Sequence, residues 1–118
     1  MVGSGSSGIR WEEVPSTGGE ALIEYNEVHG NGRTNGRPGI SAQDAKDAVI
    51  RNNVFGATTI AFASYLKNYD EGIQASDSGR SDRPDLLNID ILNNTLNGEV
   101  TKGCELPDAL VACTGNTP

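Results

Sequence analysis

Apolar and polar residues alternate with a period of two in three short stretches that superimpose on one another. Set on a shared asparagine they read Ala21-Leu22-Ile23-Glu24-Tyr25-Asn26-Glu27-Val28, Ala48-Val49-Ile50-Arg51-Asn52-Asn53-Val54-Phe55 and Ile89-Asp90-Ile91-Leu92-Asn93-Asn94-Thr95-Leu96. Three positions before the asparagine stands Ile each time, five before stands Ala or Ile, and two after stands Val, Phe or Leu. Alternate residues of a strand share a face, so each window predicts a short strand with one apolar face, ended where the asparagine turns the chain. A second element precedes each window: Gly8-Ile9-Arg10-Trp11, Gly39-Ile40-Ser41-Ala42 and Gly72-Ile73-Gln74-Ala75. The Gly-Ile pairs lie 31 and 33 residues apart and the asparagines 27 and 41. Constant strands joined by loops of varying length are expected of a stacked repeat whose insertions fall in its turns.

Each unit reads as three short strands, the first starting at Ile9, Ile40 or Ile73, the second ending at Asn26, Asn53 or Asn94, the third holding Val28, Phe55 or Leu96. One unit cannot bury its apolar face alone, but a stack of units makes a continuous interior. At a sheet spacing of roughly 4.8 Å equivalent residues sit above one another, and the three asparagines are expected to bond into an amide ladder. The repeat spans residues 8–100. Residues 1–7, Met-Val-Gly-Ser-Gly-Ser-Ser, read as a flexible linker or expression-derived start, and 101–118 as a C-terminal cap or tail.

The ordered pattern Gly-Ile followed by Val49-Ile50-Arg51-Asn52-Asn53-Val54 resembles the right-handed parallel β-helix repeats of the pectin-lyase-like superfamily, over most of residues 8–100. That resemblance implies an all-β solenoid of about three rungs. It also implies a polysaccharide as partner, lying in a groove along the first strand of each rung, and a place among polysaccharide lyases, hydrolases and epimerases. Carried over by position, Arg10, Trp11, Ser41, Gln43, Gln74 and Ser76 come from that strand. His29, Arg33, Arg37, Tyr65, Lys67 and Tyr69 come from the flanking loops.

Composition narrows these readings. The hydrophobic fraction is 36%, and 15 Gly among many Asn, Asp and Ser favour turns over long helices. Sixteen acidic against nine basic residues give a net charge of −7, which repels nucleic-acid backbones. No apolar run reaches membrane-spanning length. Cys104 and Cys113 enclose a short loop, and a disulfide between them is expected, with a secreted, extracellular or periplasmic location. Two unpaired thiols are the other reading.

Chemistry is thinly represented. Glycoside hydrolysis needs two carboxylates about 5–9.5 Å apart, whereas the outward first-strand positions hold Ser, Gln and Arg. The family's lyases use a basic residue, and Arg10 is the one candidate of that type. Asp44, Asp47, Asp77 and Asp82 follow the first strands and are candidate calcium ligands, because hard oxygens on loops suit that ion; solvated turn carboxylates explain them equally. His29 is the single histidine and the only residue on which a Ser-His-Asp relay could be built. The Gly-rich stretch 30–38 lacks the Lys-Ser/Thr of a phosphate-binding loop and reads as a turn. The run 57–69 reads as a helix or an added strand. Asn93-Asn94-Thr95 matches an N-glycosylation acceptor. The expectation is an extracellular carbohydrate-associated protein, an enzyme or a binding module. The alternatives are a structural, fibre-type solenoid that associates through open ends, and a small hairpin-built sandwich.

Overall fold

In a computed structural model, residues 8–12, 21–29, 38–55, 71–79 and 86–118 are described. The chain runs through β1 (Ile9–Glu12), β2 (Ala21–Glu24), β3 (Glu27–Val28), β4 (Ile40–Gln43), β5 (Lys46–Arg51), β6 (Val54–Phe55), β7 (Glu71–Ser76), β8 (Leu87–Leu92), β9 (Val100–Lys102) and β10 (Val111–Thr114). No helix occurs among the described residues. The strands form three sheets, β1-β4-β7-β9, β2-β5-β8-β10 and β3-β6, and every pairing is parallel. The chain therefore visits the sheets in the same order on each pass, an arrangement compatible with a parallel β-solenoid. A hairpin sandwich requires antiparallel neighbours and is excluded for these strands.

Strict register turns the repeat into columns. Ile9, Ile40, Ile73 and Thr101 pair in succession across the first sheet. Across the second, Ala21, Ala48, Ile89 and Val111 form one column and Ile23, Ile50, Ile91 and Cys113 the next. Val28 lies over Phe55 in the third. Ile40, Ile50, Ile73, Ile89, Ile91, Val28, Phe55 and Val111 are all wholly buried. Small aliphatics stacked on their own kind fill an interior too thin for long side chains, which accounts for the scarcity of aromatics. The Gly-Ile signature has a steric reason at Gly72, where a Cβ would stand 3.1 Å from the Phe55 ring.

The expected amide ladder is present and has four members. Asn26 Nδ2 donates to Asn53 Oδ1, Asn53 Nδ2 to Asn94 Oδ1, and Asn94 Nδ2 to Asn116 Oδ1, at 2.9–3.0 Å. Each of those oxygens also accepts the backbone N–H of the preceding ladder residue at 3.0 Å. The second amide hydrogen reaches the carbonyl of the previous pass, from Asn53 to Ile23, Asn94 to Ile50 and Asn116 to Ile91. Asn26 has no such predecessor among the described residues and turns to its own Glu24 carbonyl instead.

Two expectations need correcting. The residue that takes the left-handed backbone at each turn is not the ladder asparagine but the one before it: Tyr25 (φ 57°), Asn52 (54°), Asn93 (53°) and Gly115 (71°). The ladder residue is left free to point its amide inward. The stretch 101–118 is more than a cap, since β9 and β10 add a fourth strand to each larger sheet. The repeat is thus one pass longer than about three. On the third and fourth passes Thr95 and Thr117 continue the third sheet as single bridges rather than strands. The run 57–69 and most of the Gly-rich stretch lie outside the described residues.

The ladder makes a quantitative prediction. Asn53→Ala strands the Ile23 carbonyl and the Asn26 amide at once, and each unsatisfied buried group costs about 1–3 kcal/mol. Urea unfolding should show Asn53→Ala and Asn94→Ala destabilised by about 3 kcal/mol, and Asn116→Ala, which is half-buried at the ladder's end, by about half as much.

Candidate functional site

The outward face of the first sheet is set by alternation. Ile40, Ala42, Ile73 and Ala75 point into the core, so Arg10, Ser41, Gln74 and Lys102 form one outward row, with Gln43 and Ser76 in the next. Five of these were expected from sequence. Lys102 was not, because the fourth pass lacks the Gly-Ile signature: β7 and β9 shift register between Glu71 and Ile73, and Thr101 replaces the isoleucine. Arg10 and Lys102 are exposed at the two ends of the row, with Gln74 half-buried between them. Arg10 Nη2 donates to Gln43 Oε1 at 3.3 Å, tying the first row to the second.

Not every expected residue joins this face. Ser41 is only 7% exposed and offers a ligand little surface. Trp11 pairs by register with Ala42, a position along from the Arg10–Ser41 pair. His29 follows β3 in the third sheet, not the first. Its Nε2 lies 3.5 Å from Glu27 Oε1, an ion pair when the imidazole is protonated, and its buried Nδ1 has no hydrogen-bond partner among the described residues. Arg33, Arg37, Tyr65, Lys67, Tyr69 and Asp82 lie outside the described residues.

The aspartates after the first strands serve the turns. Asp44 is 1% exposed and takes a left-handed backbone. Its Oδ1 accepts the Ser78 N–H and its Oδ2 the Ser78 hydroxyl, both at 2.7 Å, which fastens one turn to the next. Asp77, the next residue in that column, accepts the Gly79 and Leu86 amides at 2.8 and 3.2 Å. Asp47 Oδ1 accepts from Asn88 Nδ2 at 2.6 Å. Among the described residues no three His, Cys, Asp or Glu side chains gather as a metal site.

Elsewhere on the surface, Arg51 Nε donates to Glu24 Oε2 at 2.7 Å across the second sheet. The Arg51 pKa is raised above its ordinary value, first by that hydrogen bond and then by the Glu24 charge. The pair is exposed to solvent and contributes little to stability. Cys104 and Cys113 are joined in a disulfide with Cα atoms 5.7 Å apart, which points to an oxidising environment. Cys113 occupies the place that Ile23, Ile50 and Ile91 hold in earlier passes.

Asp44 yields a test that separates a turn carboxylate from a calcium ligand. Removing both acceptors from the Ser78 donors should cost about 1–3 kcal/mol. Asp44→Ala should therefore lower the thermal midpoint by the same amount in calcium chloride as in chelator. A loss seen only with calcium would make the residue a ligand.

No known family model, curated protein or solved structure matches the chain significantly.

Proposed function

We propose that the protein is a right-handed parallel β-helix of the pectin-lyase-like kind, secreted or periplasmic, that binds polysaccharide along the outer face of its first sheet. The observation that carries this reading is the outward row Arg10, Ser41, Gln74 and Lys102, backed by Gln43 and Ser76. Strands in register repeat every roughly 4.8 Å, so a polymer crossing them meets a hydrogen-bonding side chain on each strand, Gln43 serving on β4 where Ser41 is shielded. A repeating ligand is matched by a repeating surface. Glutamine amides both donate to and accept from hydroxyls. The cations at the two ends stand roughly 14 Å apart, three sheet spacings, and provide local positive charge on an otherwise acidic chain.

The same row argues for binding over cleavage. Hydrolysis by paired carboxylates needs them on this face, about 5–9.5 Å apart. The row from Arg10 to Lys102 holds no carboxylate, and the row of Gln43 and Ser76 has a single one by register, Glu12, so no pair is present among these positions. Arg10, the candidate base of a lyase, is engaged with Gln43. The disulfide supports a compartment outside the reducing cytosol.

A glycan array covering neutral and acidic polysaccharides tests the reading directly. The Gln43→Ala, Gln74→Ala double variant should weaken the best ligand by about tenfold, the loss of one or two hydrogen bonds. Its unfolding midpoint should stay unchanged, since neither side chain belongs to the core. An array without any bound glycan would remove the proposal.

A further inference from the structure

Tyr25 breaks the pattern of its own column. The turn between the second and third sheets takes a left-handed backbone at Tyr25, Asn52, Asn93 and Gly115. Asparagine and glycine adopt that conformation readily, whereas a tyrosine there carries backbone strain. Packing does not compensate for it, because Tyr25 is 76% exposed. A strained backbone holding an aromatic ring out in solvent is a feature that stability alone does not explain.

The ring borders an open depression of about 460 Å³ whose described walls are Tyr25, Asn26, Glu27, Asn52 and Val54. The side-chain amide of Asn52, on those walls, has no partner among the described residues. Glu27, with its side chain 69% exposed, adds a carboxylate at the edge.

We propose that this depression is a binding subsite for one pyranose ring of a neutral sugar chain, seated face-on against Tyr25. A pyranose presents a flat patch of C–H groups on its face and hydroxyls around its rim. The first matches an exposed aromatic ring, a large contact area with little side-chain entropy to lose. The hydroxyls donate to the Glu27 carboxylate and accept from the Asn52 amide. Glu27 and the net charge of −7 select against an anionic ligand. The depression is open at the surface, so the ring is one unit of a longer chain passing over it. The site lies on the turn between the second and third sheets. It goes beyond the first-sheet reading and stands whether or not that face binds anything.

The test is an NMR titration of the whole chain with neutral hexasaccharides of β-1,4-glucose, β-1,4-mannose and α-1,6-glucose. At least one should shift the Tyr25 ring and Asn52 side-chain amide resonances in a saturable way. Tyr25→Phe should keep that affinity, because the ring face is retained. Tyr25→Asn installs the residue that Asn52 and Asn93 represent at this turn. It should raise the unfolding midpoint while weakening binding about tenfold. Undiminished binding by Tyr25→Asn would overturn the proposal. So would shifts confined to Gln43 and Gln74, which would instead support the first-sheet face. A titration in which no hexasaccharide perturbs Tyr25 or Asn52 would overturn it as well, and that readout does not depend on how any variant folds.

Discussion

A primary amide carries two N–H donors and two carbonyl lone pairs, and in Asn53 and Asn94 all four are used along the stacking direction. Each takes the backbone N–H and side-chain N–H of the pass before it, and gives its own hydrogens to a carbonyl behind and an amide ahead. Both residues are wholly buried, so none of these bonds competes with water. The arrangement tolerates only one register. Sliding a pass by a single residue would move the asparagine into the left-handed position and turn every isoleucine of that strand outward. The aliphatic columns supply most of the burial, but it is the ladder that says which residue lies above which.

That division explains what was readable from the chain. Ile23, Ile50 and Ile91 recur because a column has one width, and Asn26, Asn53 and Asn94 recur because a ladder has one chemistry. Both constraints act on residue type, so they leave a pattern. The left-handed positions left a fainter one: Asn52, Asn93 and Gly115 are residues that adopt this conformation readily, but Tyr25 is not. The fourth pass escaped for a related reason. Its interior positions hold Thr101 and Cys113 in place of isoleucine, leaving Val111 and Asn116 as the only members that fit the pattern. Seen alone, Val111-Ala112-Cys113-Thr114-Gly115-Asn116 reads as the start of a tail.

The outer face was legible only in part. Alternation is enough to say that Arg10 and Gln74 face outward and Ile73 inward, and the structure agrees. It says nothing about how neighbours shade a small side chain, and Ser41 is buried although its row faces out. Nor does it distinguish a carboxylate that waits for a ligand from one whose oxygens already accept the donors of the next turn, as those of Asp44 do. Interior positions are determined by repetition and exterior ones by what each pass is used for. Repetition is what a single sequence displays.

A stack of this kind is held together mainly between neighbouring passes, so it opens from its ends like a zip. Thr101 and Cys113 give the fourth pass less apolar surface than the passes before it. Burial therefore holds it less firmly than the others. Cys104 follows β9 and Cys113 lies within β10, so the disulfide joins the two sheets of that same pass. With the bond closed, β9 and β10 cannot peel away independently, and the weakest layer must leave as a whole or not at all. In a reducing compartment that coupling is lost, and each strand is left to its own pairing with the pass before, β9 with β7 and β10 with β8.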